Sequence, residues 1–143
     1  ETLDFEAGGY IQVDVPKVDV DFKDFDITAH PKYHDTPDKF QGDWDQFKMW
    51  DLKMVNKEEV FRAYSMSNHP AEGNIVSLTI RIATPPFKWG KNADGSRKWD
   101  GYQAINPGIC SSFVFSRKIV DKVTISGPYG EFLSRKLMQR CCT

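Results

Sequence analysis

The sequence lacks a long hydrophobic run, a large net charge and a regular set of cysteines, and each absence excludes a class of protein. No apolar stretch approaches the ~18 residues that a membrane-spanning helix needs. Nineteen Lys and Arg residues against twenty Asp and Glu residues give a net charge of -1, which argues against nucleic acid or an anionic membrane as the main partner. Three cysteines without framework spacing indicate a reducing compartment rather than a secreted disulfide scaffold.

The sequence offers little to bind a metal ion. His30 and His34 are four residues apart, but Pro31 between them argues against a shared helical face. Cys141 and Cys142 are adjacent near the end of the chain, without a C-x-x-C spacing or a nearby histidine. We therefore predict no metal site and assign no function to these two cysteines.

What the sequence does contain is the composition of one globular domain that is rich in aromatic residues. Its 143 residues are 40% hydrophobic and 27% charged, and 13% are Phe, Trp or Tyr. No signal peptide is visible, and the chain opens at Glu1 in strand-like sequence rather than on a Met. We interpret the chain as a soluble piece of a longer protein.

The hydrophobic pattern predicts a mainly β fold. Strands are expected at "YIQVDV", on each side of a polar turn at residues 56–59, at "NIVSLTIRIA", and at "KVTISGPYGEFL" before and into a Gly-Pro turn. The stretch "GICSSFVFSRKI" predicts a short helix with Ser111 or Ser112 as its N-cap. Residues 17–51 read as an ordered, aromatic-rich insertion, and residues 88–106 as a long mobile loop. Six strands joined by turns, without a βαβ rhythm, favour an antiparallel Greek-key barrel with one short helix.

The motif "RAYS" ends one of these strands. Arg62 and Tyr64 are two positions apart, so in a strand their side chains share one face. A guanidinium group suits phosphate, and a phenol ring suits a flat heterocycle. Ser65 adds a hydroxyl at the strand end, so the motif favours a cofactor that carries both a phosphate and a planar ring.

The motif "PGICSS" offers a second half of such a site. A helix that begins with small residues presents backbone N–H groups to an anion. Each motif also has an ordinary interpretation, in which Arg62 forms a surface ion pair, Tyr64 packs in the core and the serines cap the helix. The occurrence of both motifs on one predicted barrel favours nucleotide binding.

"RAYS", followed by "GICSS" and "GPYG", resembles the flavin-binding domain of the ferredoxin–NADP reductase superfamily. Five motifs resemble one family within this superfamily, the F subunits of Na+-translocating NADH:quinone oxidoreductases. These motifs are "LDFEAGGYIQVDVP", "RAYSMSN", "RIATPP", "PGICSSFVFS" and "TISGPYGEF". The long insertion before "RAYS" is also typical of that family. The resemblance covers residues 3–133, and it implies a ferredoxin reductase-like barrel over residues 1–135 that binds FAD.

The resemblance implies a role for each motif residue. Arg62 would hold the FAD pyrophosphate, Tyr64 would lie against the isoalloxazine ring, and Ser65 would hydrogen-bond near N5. The neighbouring strand would touch the cofactor through its main chain, and the helix start would wrap the pyrophosphate. The implied cofactor-binding residues are Arg62, Ala63, Tyr64, Ser65, Arg81, Ile82, Ala83, Gly108, Ile109, Cys110, Ser111 and Ser112, with Thr84 as an extension. Gly127, Pro128, Tyr129 and Gly130 would form a turn near the meeting point of nicotinamide and flavin.

The resemblance also implies partners that this sequence does not contain. The Gly-rich turn of an NADH-binding domain and the four cysteines of a [2Fe-2S] domain are absent, so both would belong to other parts of the same subunit. FAD would accept hydride from NADH and pass single electrons to the iron–sulfur cluster, in a complex on the cytoplasmic face of a bacterial inner membrane. Residues 136–143 do not read like the expected linker. Two alternatives are the FAD domain of an oxygenase reductase, against which the insertion argues, and a β barrel that binds a small ligand without redox chemistry.

Overall fold

The computed structural model describes residues 4–130, so the tail at 136–143 and its two cysteines lie outside the described residues. The described part is mainly β with few helices, which confirms the predicted fold class at that level. Its regular elements are strands β1 (Tyr10–Val15), β2 (Val18–Asp21), β3 (Lys53–Asn56), β4 (Val60–Ser65), β5 (Phe87–Lys91), β6 (Arg97–Tyr102) and β7 (Ile125–Tyr129), helices α1 (Gln41–Gln46) and α2 (Ile109–Phe115), and 3-10 turns at Phe22–Asp24, Met49–Asp51 and Pro70–Glu72.

Strand β1 is the centre of the sheet that carries the site. It pairs antiparallel with β4 on one side and with β7 on the other. Ile11, Val13 and Val15 alternate with polar residues and are each at most 2% exposed, as the period of two in the sequence predicts. The inward face of β1 therefore forms one wall of the hydrophobic core.

Residues 17–51 contribute to this core rather than lying outside it. Strand β2 falls in this segment and pairs antiparallel with β3. Phe22, Phe25 and Trp44 are buried, with the Phe22 ring centroid 4.7 Å from that of Phe25 and 6.0 Å from that of Trp44. The aromatic residues that interrupt the charged sequence are thus what anchors it.

The predicted mobile loop at 88–106 contains a β-hairpin instead. Strands β5 and β6 pair across a tight turn in which Gly95 has φ +84° and the Asn92 N–H donates to the Ser96 carbonyl at 2.8 Å. Phe87 stacks on Phe47 of the insertion, with ring centroids 5.2 Å apart, and Trp99 meets Phe47 edge-on. Cross-strand aromatic packing therefore orders a segment whose polar residues hide its periodicity.

The predicted strand at 74–83 has the expected faces but no continuous ladder. Val76, Leu78, Ile80 and Ile82 are partly buried, and the only strand-type pairing described within this stretch is the bridge between Met66 and Leu78. The described strands number seven and form three separate sheets, so a closed six-stranded Greek-key barrel is not observed.

The helix predictions are partly correct. Helix α2 lies within the predicted segment, but α1 in the insertion was not predicted. The N-cap of α2 is Gly108, while Ser111 and Ser112 lie inside the helix, so the predicted serine cap is wrong.

Candidate cofactor site

Strand β4 places Arg62 and Tyr64 on the same face of the sheet. Their cross-strand partners are Val13 and Ile11, both on the inward face of β1. Arg62 is nevertheless exposed, and its Nη1 donates to the Phe61 carbonyl at 2.8 Å. Among the described residues no carboxylate forms an ion pair with Arg62, which leaves most of its guanidinium donors available to an anion.

Tyr64 joins the strand motif to the helix motif. Its side chain packs against the buried core cluster that includes Cys110 at the start of α2. Burial, followed by interaction with the Cys110 thiol, raises the pKa of Tyr64 far above its usual range. Burial also raises the pKa of Cys110, and the positive charge of Arg62 acts on both groups in the opposite direction. The three side chains are therefore neighbours, and at neutral pH only Arg62 is charged.

The segment at 81–83 is tied to the same helix start. The Gly108 N–H donates to the Ala83 carbonyl at 2.8 Å, and the Ala83 N–H donates to Ser111 Oγ at 3.1 Å. A Cβ added to Gly108 would lie only 2.6 Å from the Ala83 Cβ. A glycine at position 108 is what permits this approach, although its φ of -55° is open to any residue.

The two serines of "CSS" differ in their surroundings. Ser111 is 6% exposed, and its hydroxyl also donates to the Gly108 carbonyl at 3.3 Å. Ser112 is fully buried, and its Oγ has no hydrogen-bond partner among the residues that the structure describes. Neither hydroxyl therefore presents itself at the surface.

The remaining predicted residues lie at the margins of this arrangement. Ser65 pairs with Tyr10 at the end of β4, and Tyr129 of the "GPYG" turn pairs with Tyr10 from the other side. The Tyr10 and Tyr129 rings are 5.5 Å apart. Ile82 packs against the core, whereas Arg81 and Ala83 are exposed. The first "RAYS" residues and the start of α2 are brought together, and the "GPYG" turn flanks the end of the same sheet.

Comparison with known proteins identifies the kind of cofactor. The family model described as "Oxidoreductase FAD-binding domain" matches residues 38–133. The chain belongs to this family. FAD is accordingly its cofactor, as the resemblance of the sequence motifs implies.

Curated relatives of this FAD-binding domain are the F subunits of Na(+)-translocating NADH-quinone reductases. Those of Methylococcus capsulatus and Pseudomonas aeruginosa are each 44% identical to the chain over 135 residues, which is 94% of the chain and 28% of the relative. That of Colwellia psychrerythraea is 41% identical over 136 residues, which is 95% of the chain and 38% of the relative. The chain therefore spans about a third of the length of these relatives.

The described residues fit FAD. Arg62 supplies a guanidinium that has no acidic partner among residues 4–130, and Tyr64 supplies a half-buried ring that packs against the cluster containing Cys110 of α2. The first N–H groups of any α-helix have no acceptor within the helix, so they are suited to an anion. Cys110 was predicted as a site residue, but its packing near Tyr64 was not, because no local pattern specifies which helix a strand residue will touch.

Two absences within residues 4–130 bear on the site. No group of three or more His, Cys, Asp or Glu side chains is placed to hold a metal ion. No helix in that range has the length and apolar character needed to cross a membrane.

Proposed function

We propose that this chain is the FAD-binding domain of the F subunit of a Na+-translocating NADH:quinone reductase. The observation that carries the proposal is the placement of Arg62 and Tyr64 on one face of β4, with Tyr64 packed against the core cluster that includes Cys110 of α2. The similarity to F subunits over 94% of the chain supports it. Bound FAD supplies the chemistry, since it accepts hydride from NADH and releases electrons one at a time toward a [2Fe-2S] cluster.

The protein's part is to bind and orient the cofactor. Arg62 binds the pyrophosphate through charge-assisted hydrogen bonds. Tyr64 offers its ring face to the isoalloxazine, and its packing against the core cluster limits rotation of the phenol. Ser65, at the end of β4, would hydrogen-bond near flavin N5.

Main-chain groups complete the proposed site. Residues 81–83 contribute backbone contacts, with Thr84 next to them. The first-turn N–H groups of Ile109 and Cys110 would donate to the pyrophosphate. In this proposal the hydride-transfer reaction requires no acid, base or nucleophile from the chain, because the atom that accepts hydride belongs to FAD.

The partners follow from the same proposal. NADH and the [2Fe-2S] cluster bind domains of the F subunit outside this chain, and the other subunits complete a sodium- and electron-transporting complex at the cytoplasmic face of the bacterial inner membrane. The three described sheets are proposed to form the partly open barrel of the ferredoxin reductase-like fold. The domain alone is expected to bind FAD but to be reduced slowly by NADH, since it lacks a site for that dinucleotide.

The test is whether the 143-residue chain retains added FAD. After free cofactor is removed, bound FAD is measured by its absorbance near ~450 nm. Arg62→Ala is expected to weaken binding about 10- to 150-fold, the factor for a charge-assisted hydrogen bond of about 1.5–3 kcal/mol. Arg97→Ala is the matched control, since Arg97 is exposed on the hairpin and lies over the Trp89 ring at 4.3 Å.

Retention of FAD by the wild-type chain, with loss only in Arg62→Ala, supports the proposal. A chain that does not retain added FAD, or an Arg62→Ala variant that binds like the wild type, contradicts it. Equal weakening by both substitutions would indicate non-specific attraction of the phosphates to positive charge.

A further inference from the structure

The turn between α2 and β7 presents two apolar side chains to solvent. The Asp121 N–H donates to the Lys118 carbonyl at 3.0 Å, which closes a four-residue turn with Ile119 and Val120 at its tip. Ile119 is 94% exposed and Val120 is 93% exposed, the highest values among the large hydrophobic residues that the structure describes. Turns usually carry Gly, Pro, Asn, Asp or Ser, because these residues fit both the backbone geometry and contact with water. Two β-branched apolar residues fit neither.

Val120 is unfavourable for the backbone as well as for solvation. Its φ of +75° lies in the region where glycine is favoured and a β-branched residue is strained. The side chain gains little packing within the chain in return, since almost all of it is exposed. Backbone strain that the fold itself does not require is typical of functional sites. The tip is therefore better suited to an apolar environment outside the chain than to water.

Positive charge flanks this tip. Lys118 and Lys122 are exposed, and neither forms an ion pair with another residue in the range 4–130. Asp121, the acidic residue of the turn, accepts a hydrogen bond from the Lys118 N–H at 2.8 Å and lies 4.0 Å from the Arg117 guanidinium. The carboxylate is thus used within the turn, and both lysine side chains remain available to an anionic surface.

We propose that the turn at 118–122 is a contact site for an anionic lipid surface. Ile119 and Val120 enter the boundary between headgroups and acyl chains, and the two lysines bind lipid phosphates. Apolar side chains flanked by basic ones fit that boundary, because burial of apolar surface and attraction to anionic headgroups act together there. The inference goes beyond the proposed function and does not depend on FAD.

A protein partner fits the tip less well than a lipid surface. Two protruding side chains offer far less area than the roughly 800 Å² that each side of a standard protein interface buries. A lipid surface needs no matching pocket. The chain as a whole has a net charge of -1, and Asp14 and Glu59 line a cavity together with Lys122. The attraction is therefore local to the turn, and the contact is weak and sensitive to salt.

The experiment is co-sedimentation of the 143-residue chain with vesicles at low ionic strength. One set of vesicles is pure phosphatidylcholine, and the other contains one third phosphatidylglycerol. Val120→Gly is expected to weaken binding to the anionic vesicles about tenfold, the factor for burial of one valine side chain. Lys118→Gln combined with Lys122→Gln should weaken it about 25-fold, or about fivefold for each lysine.

Two substitutions outside the turn are the matched controls. Ile75 is 57% exposed in another loop, and Lys98 is exposed on the β5–β6 hairpin. Ile75→Ser and Lys98→Gln should each leave vesicle binding nearly unchanged. Val120→Gly relieves backbone strain, so a loss of binding in that variant does not result from unfolding, and circular dichroism checks this directly.

Binding to the anionic vesicles that the substitutions in the turn weaken and the controls do not would support the proposal. It would be overturned by absence of binding to anionic vesicles, by equal binding to neutral vesicles, or by binding that the turn variants leave unchanged. Equal weakening by Lys98→Gln would show attraction to charge without a defined site and would overturn it as well. Sedimentation velocity covers the remaining case, since self-association that depends on Ile119 and Val120, without vesicle binding, would assign the tip to a protein surface instead.

Discussion

Replacing Gly108 by alanine tests the close contact that assembles the site. The new Cβ would lie 2.6 Å from the Ala83 Cβ and 2.7 Å from Ser111 Oγ, separations that require the backbone to shift. Overpacking of this kind costs about 1–3 kcal/mol. The backbone angles at Gly108 are open to alanine, so the lower entropy of the unfolded chain offsets about 0.4–1 kcal/mol of that cost.

The steric effect outweighs the entropic one. Gly108→Ala is therefore expected to lower the free energy of unfolding by about 1–2 kcal/mol and to weaken FAD binding. Urea unfolding without FAD measures the first effect as a lower midpoint with an unchanged slope. In thermal unfolding, each kcal/mol corresponds to a fall in Tm of about 3 °C for a chain of this size.

Gly42→Ala is the matched control. Gly42 lies within α1, and an added Cβ there would meet no atom within 4 Å. Alanine at that position should stabilise the protein by about 0.5–1 kcal/mol. A Gly108→Ala variant that is as stable as the wild type and binds FAD equally well would refute the argument that this position requires glycine.

Three further predictions test other parts of the fold. Val120 is 93% exposed and has φ +75°, a strained backbone conformation for a β-branched residue. Val120→Gly should therefore raise the unfolding free energy by about 1 kcal/mol in urea titrations, and an unchanged midpoint would contradict backbone strain at this position. The Asn106 side-chain amide donates to the Val55 carbonyl on β3 at 2.8 Å and accepts from the Val55 N–H at 3.0 Å. Asn106→Ala should therefore lower the free energy of unfolding by about 1–3 kcal/mol, whereas Asn92→Ala on the hairpin should change it little. Unfolding free energy should fall as pH rises above 9.0, the ordinary pKa of a cysteine, because the unfolded chain then releases the Cys110 proton that the folded chain retains. Burial also raises the pKa of Tyr64 and Tyr102, so these groups add to the fall at higher pH. Cys110→Ala should reduce the slope just above pH 9.0, and an identical slope there would refute the prediction.

Local pattern was sufficient to predict the elements that alternate clearly. The alternation of Ile11, Val13 and Val15 predicts β1 and its buried face, and the same rule places Arg62 and Tyr64 together on β4. Helix α2 follows from its run of small and then apolar residues. In these elements the physics that forms the structure acts over a few neighbouring residues.

Prediction failed where the stabilising contact is distant in sequence. The β5–β6 hairpin depends on Trp99 and Phe87 packing against Phe47, and a bulge between Phe87 and Trp89 breaks its alternation. For residues 74–83 the sequence correctly predicts which side chains are partly buried. The alternation of apolar and polar residues does not reveal whether a partner strand is present, so the predicted continuous strand was wrong. The same limit applies to the site, since neither the packing of Tyr64 near Cys110 nor the Ala83–Ser111 hydrogen bond can be predicted from local sequence.

The position of β1 between β4 and β7 has a consequence for how the chain folds. Tyr10 pairs with Ser65 on one side and with Tyr129 on the other, so the first of the described strands receives its second partner among the last described residues. Pairing over such distances in sequence slows folding, because a large loop must close before the contacts form. During synthesis β1 can pair with β4 alone, and its other edge stays exposed until β7 leaves the ribosome. The proposed FAD site, which includes residues of β4, can therefore begin to assemble before the sheet is complete.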